Sequence, residues 1–373
     1  MRQQRPRRER GFPSAVFPSA GFTLVELPAV SRRKARGFTL VELLVVIGII
    51  ALLISILLPA LSRARETANT VKCASNLRSV GQGMAQYLAN NKNTYPAAYI
   101  YEGMQIQGSA PSGTQLPPAA DKGYVHWSAM IYNRKDTAAN DSIFRQLSGW
   151  EMFTCPSIEK GGLPATNTFP GNNDALPNDA PGVVDKMAPR CAFTVNEAIC
   201  PRNKFCYTFQ GAVRVYSFVR GGRIRNSAAT ILATELSRQA ALVAGTGEVS
   251  GSNVCKSHRP VHGFFSPASG QLDMSLVPSS MTGLPSLYRV TKDQLNSDPE
   301  VNLVTGSASQ TRLDWVGRNH GPKKLVNGVD KRKTNFLYVD GHVETKTIYE
   351  TLDKGFEWGE QFYSLVPGND IKK

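Results

Sequence analysis

Hydrophobic positions along this chain change their spacing twice. From Leu43 to Leu61 no residue carries a charge, and over Phe38–Leu61 the one charged residue is Glu42. Roughly 20 apolar residues in a helix cross the hydrocarbon core of a bilayer, so 38–61 is expected to span a membrane. Beyond Pro59 the apolar positions are Leu61, Ala64, Ala68, Val71, Ala74, Leu77, Val80 and Met84, then Tyr87 and Leu88. Steps of three and four mark one face of an amphipathic helix. Arg63, Arg65, Glu66, Lys72, Arg78 and Gln82 lie off that stripe. Gly81 and Gly83 each weaken a helix by up to ~1 kcal/mol relative to Ala. Asn90-Asn91-Lys92-Asn93 and Pro96 stop it. One helix from about Phe38 to about Ala89 is therefore expected, its outer part (62–92) packed on a globular head (93–373). A membrane-anchored coiled coil does not fit, because the stripe ends after about four heptad lengths and globular sequence follows.

In the head, residues 97–190 are loop-rich. Nine of the thirty residues in 161–190 are Gly or Pro, and Asn167, Asn172, Asn173 and Asn178 add further turn formers. An irregular insertion is expected there, with Trp127–Tyr132 and Phe144 as core anchors. Val213–Val219 alternates with period two and predicts a strand. Ala229–Glu235 predicts a second, more buried strand. Near the C-terminus two alternating runs, within 335–348, flank Asp340-Gly341 and predict a hairpin. A type I′ turn would put both central residues at φ > 0. The fold class is α+β: a long N-terminal helix laid on an antiparallel sheet, with a large irregular insertion.

The chain has 373 residues, 41% apolar and 19% charged. That suggests two to three domain-sized units and excludes a mainly disordered or collagen-like chain. The net charge of +14 first points to nucleic acid, but half of it sits in residues 1–37. Nine Lys/Arg there face only Glu9 and Glu26. A basic leader before an apolar helix speaks of membrane targeting, and the positive-inside rule places it in the cytoplasm, with 62–373 outside.

Catalytic and metal motifs are sparse. His258-x3-His262 has metal-compatible spacing, but Arg259-Pro260 breaks a helix between the two and no adjacent acid or Cys completes a set; a polar loop is the expectation. His320 with Asp340 suggests either acid–base work or, preferably, a His bonded to a turn carboxylate. One Asp in the hairpin turn falls short of the six or so oxygens that Ca²⁺ needs. Six cysteines allow three bridges, favoured outside the cytoplasm. None has Cys-x2-Cys spacing, so zinc is not expected. No metal, cofactor or catalytic residue is assigned, and no enzyme is expected.

Glu42 is the informative residue, because a carboxylate in a membrane helix is costly and usually functional; a Glu snorkelling to the headgroups is the alternative. The stretch Gly37-Phe38-Thr39-Leu40-Val41-Glu42-Leu43-Leu44 resembles the cleavage and methylation signal of type IV prepilins and type II secretion pseudopilins. The resemblance implies cleavage between Gly37 and Phe38 by a prepilin peptidase, N-methylation of Phe38, and pairing of Glu42 with a neighbouring subunit's terminal amine. Pro59 falls where the family often has a helix-loosening Pro. An ordinary secretory signal fits less well, since Ser62-Arg63-Ala64 is a poor cleavage site and the apolar run is too long. Gly21–Leu27 repeats the signal without an apolar run behind it, and reads as a duplicated or misassigned leader.

Further segments extend the likeness. Cys73–Gly81 with Tyr87 and Tyr95-Pro96 resembles the helix end of large pseudopilin-like proteins of planctomycetes. Cys155-Pro156-Ser157 and Ile231-Leu232-x-x-Glu235 resemble elements of the same proteins, and a Cys73–Cys155 disulfide is implied by this resemblance. His320 with Asp340-Gly341 resembles a prepilin-processing-associated domain with His, nine residues, then Asp-Gly. Here nineteen residues intervene, so a basic loop near Pro322–Lys333 is expected as an insertion.

The implied function is structural: a pseudopilin or minor pilin-like subunit of a type II secretion or type IV pilus-like filament. Its partners would be prepilin peptidase, other pilin subunits, an inner-membrane assembly platform and the lipid bilayer. It would be a single-pass inner-membrane protein with its head in the periplasm or in an external filament. Two alternatives stand beside it. A pilin-like protein binding DNA or polysaccharide would use Lys323, Lys324, Lys331, Arg332 and Lys333 on phosphates, although nucleic acid is not the expected partner. A membrane-anchored enzyme would depend on His320.

Overall fold

The computed structural model describes residues 39–101, 124–132, 149–164, 186–202, 207–209, 213–215, 218–239, 243, 257–265, 287–302, 311–321, 323, 325–353, 355–364 and 371–372. It divides into two units, Met1–Leu57 and Leu58–Lys373. Helix α1 runs Leu40–Asn90 and contains Pro59. Among the described residues it is the one helix long and apolar enough to cross a membrane, and none of its apolar window is buried. It ends where two consecutive residues, Lys92 and Asn93, turn left-handed (φ 53° and 56°). The Asn93 N–H then reaches back to the Leu88 carbonyl at 2.8 Å, satisfying one of the helix's orphan acceptors.

Most strands of the head are short. Strands β1 (Tyr99–Tyr101) and β2 (Tyr124–His126) pair antiparallel, and α2 (Trp127–Ile131) follows directly. The central sheet is four-stranded and antiparallel, built from β3 (Phe193–Val195), β6 (Ile231–Glu235), β11 (Thr334–Tyr338) and β12 (Val343–Lys346) in the order β12-β11-β6-β3. Two-stranded ribbons pair β4 (Tyr207–Phe209) with β5 (Val213–Val215), and β9 (Leu325–Val326) with β10 (Val329–Asp330). Finally β7 (Phe264–Phe265), β8 (Leu287–Arg289) and β13 (Ile371–Lys372) form a small sheet in which β13 and β8 run parallel.

Every residue of β6 and β11 is buried, so both faces of the sheet are covered. Period-two alternation along β11 sends Leu337 into one hydrophobic cluster with Ala233 and with Cys73, Leu77, Val80 and Met84 of α1. It sends Phe336 and Tyr338 into a second cluster with Trp315 and Trp358. Ile231 joins that second cluster although it lies two residues from Ala233, because the β6–β11 register shifts between Leu337 and Tyr338 and sets Ile231 opposite Tyr338. α1 comes close to β11: a Cβ added at Gly81 would lie 2.9 Å from Leu337 Cδ1. The glycine that weakens the helix is thus the one that lets it approach the sheet.

Three expectations need correction. The amphipathic stripe is not the buried face along its whole length. Leu61 and Val71 are 66% and 64% exposed, while the covered side includes Glu66, Thr70 and Asn76. Periodicity marks an apolar face, but the partner on offer near Glu66 and Thr70 is polar. The Asp340-Gly341 hairpin is not type I′ either. Gly341 has φ +94° but Asp340 has no positive φ. The Gly341 N–H donates to the Tyr338 carbonyl and the Tyr338 N–H to the His342 carbonyl, both at 2.9 Å. That is a three-residue loop closed by a left-handed glycine, in which Asp340 avoids the left-handed cost of a Cβ. The type I′ geometry occurs instead at Asn327 (φ 52°) and Gly328 (φ 77°), between β9 and β10. The basic insertion is therefore a second hairpin, closed at its base by reciprocal backbone bonds between His320 and Lys333 at 3.1 and 2.9 Å. Parts of the expected insertion, with Phe144, lie outside the described residues; Trp127 and Ile131 are core residues.

Candidate functional site

Two places gather chemistry. The first is the start of α1. Gly37 and Phe38 lie outside the described residues, but Thr39 and Glu42 form a capping box. Both the Thr39 N–H and its hydroxyl donate to Glu42 Oε2, at 2.9 and 2.8 Å, and the Glu42 N–H donates to Thr39 Oγ1 at 3.2 Å. The Thr-x-x-Glu spacing signals this in the sequence. Glu42 thus has a local role in starting the helix, which the reading of it as a lone membrane carboxylate missed. The apolar residues that follow, Leu43 to Leu58, are exposed along α1.

The second place is a buried polar cluster where α1 meets the sheet. Asn335 on β11 and Glu235 on β6 share a face: Phe336 pairs with Thr234, so the preceding and following positions face each other. Glu235 Oε1 accepts from Asn335 Nδ2 and lies against His320 Nε2, both at 2.7 Å. Glu235 Oε2 accepts from Asn319 Nδ2 at 3.1 Å. On the other side of the ring, His320 Nδ1 is 3.3 Å from Ser157 Oγ and 3.6 Å from Glu66 Oε1. Asn335 also donates to the Thr70 carbonyl of α1 at 3.3 Å, and the Gly321 N–H donates to Glu66 Oε1 at 3.1 Å. The cysteines Cys73 and Cys155 are joined by a disulfide, with Cα atoms 4.9 Å apart. Asn76 Nδ2 donates to the Glu151 and Thr154 carbonyls at 3.2 and 2.8 Å. Burial works against a charged His320, yet the hydrogen bond and charge of Glu235, with the charge of Glu66, hold its pKa above the ordinary imidazole value.

Ser157, His320 and Glu235 follow the order of a nucleophile, base and orienting acid. Geometry argues for structure instead. Ser157 shares Nδ1 with Glu66, and the Ile158 and Gly161 N–H groups nearby are spent on the turn's own carbonyls, so they offer no oxyanion hole. The arrangement ties α1, the Cys-Pro-Ser turn, β6 and β11 together. The sequence singled out Ser157 and Glu235 only as parts of similar segments and assigned them no role.

The structure separates other pairs. His320 bonds Glu235, not Asp340; Asp340 accepts instead from the His342 N–H and lies 2.6 Å from its Nδ1. His258 and His262 are buried, not on a polar loop. His258 stands edge-on to the Tyr99 ring at 4.6 Å, and His262 Nε2 faces Glu197 Oε2 at 3.7 Å. Two of the basic residues in this segment are paired with acids and a third lies over a ring. Lys323 pairs with Asp298 at 2.8 Å, Arg332 with Asp330 and Glu300 at 2.6 and 3.0 Å, and Lys331 lies 4.4 Å from the Tyr349 ring centre. Lys324 lies outside the described residues, as do Cys206 and Cys255.

Residues 32–58 match the prokaryotic N-terminal methylation motif. Over 63 residues, 17% of this chain and 47% of the relative, the chain is 43% identical to the type IV wide pilus major component PilA4 of Thermus thermophilus. It is 34% identical over 96 residues to the type II secretion system core protein G of Escherichia coli, covering 25% of this chain and 62% of that protein. The Aeromonas hydrophila core protein G is 30% identical over 97 residues, covering 26% of this chain and 66% of that protein. The chain thus spans about half to two thirds of the length of these relatives. No solved structure matches it. The exposed apolar helix that this motif overlaps, the one such helix among the described residues, fits a single-pass inner-membrane anchor. In its N-terminal region the chain is homologous to type IV pilins and to type II secretion pseudopilins.

Proposed function

We propose that this protein is a pilin-like structural subunit, cut by prepilin peptidase between Gly37 and Phe38, N-methylated on Phe38, and assembled into a type II secretion or type IV pilus-like filament. Residues 1–37 are the leader, 38–61 the spanning and assembly helix, 62–92 its continuation and 93–373 the head, which lies outside the cytoplasm. The partners are other pilin-like subunits, an inner-membrane assembly platform and lipid. The observation that carries this reading is the methylation motif over 32–58 running directly into an apolar helix with no cover of its own.

Glu42 serves assembly in this reading, and its capping role does not compete. Both Thr39 donors use Oε2, which leaves Oε1 for a neighbour's Phe38 amine. The two roles separate experimentally. Gln satisfies a capping box as Glu does but carries no charge, so Glu42→Gln keeps the helix start and removes the ion pair. Sheared filaments from cells expressing Glu42→Gln are expected to contain little of the mature protein, while cleavage and membrane insertion continue. Equal incorporation of wild type and Glu42→Gln would reject Glu42 as an assembly residue. N-terminal peptide mass analysis tests processing independently: N-methyl-Phe38 is expected, and a terminus at Phe22 or near Arg65 would reject the assignment.

A DNA-binding role loses Lys323 and Arg332, which are paired with acids of the head.

A further inference from the structure

Four metal-ligating side chains converge beside α1 from segments far apart in sequence. One ligand atom from each of Cys73, Cys155, Glu235 and His320 lies within 4.8 Å of every other, and all four residues are buried. Two thiolates, an imidazole and a carboxylate are a donor set for a borderline-soft divalent ion in tetrahedral coordination. The usual Cys-x2-Cys signature is missing because α1, the Cys-Pro-Ser turn, β6 and the segment before the β9–β10 hairpin contribute one ligand each.

We propose that in its dithiol state the protein binds one zinc-class divalent ion through Cys73, Cys155, His320 and Glu235, and that disulfide formation discharges it. The outer shell is already built. Asn335 and Asn319 each donate to a Glu235 oxygen, and the Thr345 hydroxyl donates to Asn335 Oδ1 at 2.6 Å. Such second-shell bonds orient ligating carboxylates and imidazoles. Access is polar: Ser157 is half-buried and Glu66 is 34% exposed, both beside His320 Nδ1. The disulfide between Cys73 and Cys155 holds the two sulfurs as a bonded pair with no thiolate to offer, so the bridged chain is the closed state of the site.

The chemistry balances with a disulfide donor as co-reactant. Loading exchanges two thiol protons, and the second ring proton of His320 when it is imidazolium, for the ion. On oxidation the two metal-bound thiolates give up two electrons to a donor R–S–S–R, the Cys73–Cys155 bond forms, the donor leaves as two thiolates, and the divalent ion is released. A chain made in a reducing compartment and oxidised outside it would pass through both states. Binding itself does not depend on filament assembly.

The test uses the full-length chain in detergent, with and without reduction by a phosphine, which takes up the disulfide's oxidising equivalents as phosphine oxide. Cobalt(II) is titrated as a spectroscopic stand-in for zinc. The reduced chain is expected to develop a thiolate-to-cobalt charge-transfer band saturating at one equivalent, and the bridged chain none. X-ray absorption of the zinc-loaded wild type is expected to report two sulfur and two nitrogen or oxygen neighbours. Cys73→Ser should cut the band at saturation to about half or less, since only the Cys155 thiolate remains, and Asn319→Ala should weaken zinc binding about 10–100-fold. No band in the reduced wild type, three or four sulfur neighbours, or a band unchanged in Cys73→Ser would overturn the proposal. The absorption measurement needs no variant, so misfolding of a mutant cannot obscure the result.

Discussion

Gly81 and Gly83 sit two residues apart on α1 and differ in what a methyl group would meet. At Gly81 an added Cβ falls 2.9 Å from Leu337 Cδ1 and 3.4 Å from Cδ2, inside the packed interface of α1 with β11. At Gly83 its nearest neighbours are Ile131 Cδ1 and Met152 Cε, both at 3.5 Å, which is ordinary contact. Replacing Gly by Ala gains the same backbone term at both positions, about 1 kcal/mol. Gly83→Ala should therefore stabilise the head by about 1 kcal/mol. Gly81→Ala must push Leu337 aside, and over-packing a core costs roughly 1–3 kcal/mol, so its net effect should run from neutral to about 2 kcal/mol destabilising. The backbone term cancels in the difference between the variants, which isolates the close approach. Urea unfolding of the two single mutants and the wild type in detergent measures it through the transition midpoint. Equal stabilisation by both substitutions would show that α1 and β11 are not held this close.

Other outcomes follow from the same contacts. Cys73→Ser with Cys155→Ser, measured in chelator, should lower stability by up to about 4.5 kcal/mol, the chain-entropy value for a bridge spanning 82 residues; a loss under about 1 kcal/mol would mean the denatured chain is not freed. Asn335→Leu removes two donors from Glu235 and the Thr70 carbonyl and should cost on the order of 2 kcal/mol by chemical denaturation, and a neutral result would contradict the buried cluster. Burial alone would raise the Asp330 pKa, but its bonds and ion pair with Arg332 hold it below the ordinary value. Its stabilisation is therefore fully present above the unfolded pKa of about 4 and fades as pH falls through the lower folded value. Asp330→Asn should flatten the acid limb of a stability–pH profile, and an unchanged limb would refute the pairing.

The long apolar helix, its approximate end at the Asn-rich turn, the buried strand ending at Glu235 and the C-terminal hairpin are all legible in the sequence, because each is decided by neighbours along the chain. An apolar run, a 3.6-residue step and a period-two step are local properties. The turn type was not legible, although Asn327-Gly328 carries a stronger signal for two left-handed residues than Asp340-Gly341. Both dipeptides fit the pattern, and the length of the loop between paired strands decides which geometry forms.

The buried cluster was illegible for a different reason. Asn335 reaches Thr70 and Gly321 reaches Glu66 across separations of 265 and 255 residues. Period-two alternation says that Glu235 and Asn335 each point to one side of a strand, but not that β6 and β11 are neighbours. Only that pairing puts the two on one face beside α1. The insertion after His320 obscured this further, since ten extra residues in the sequence separate the His from its strand. The reciprocal bonds between His320 and Lys333 remove the difficulty, because a hairpin closed at its base returns the chain to where it left. His320 pairs with Lys333 and therefore stays within two positions of Thr334 and Asn335 whatever the length of the hairpin it precedes. Spacing in sequence is a poor guide to a site when the intervening residues form a closed loop.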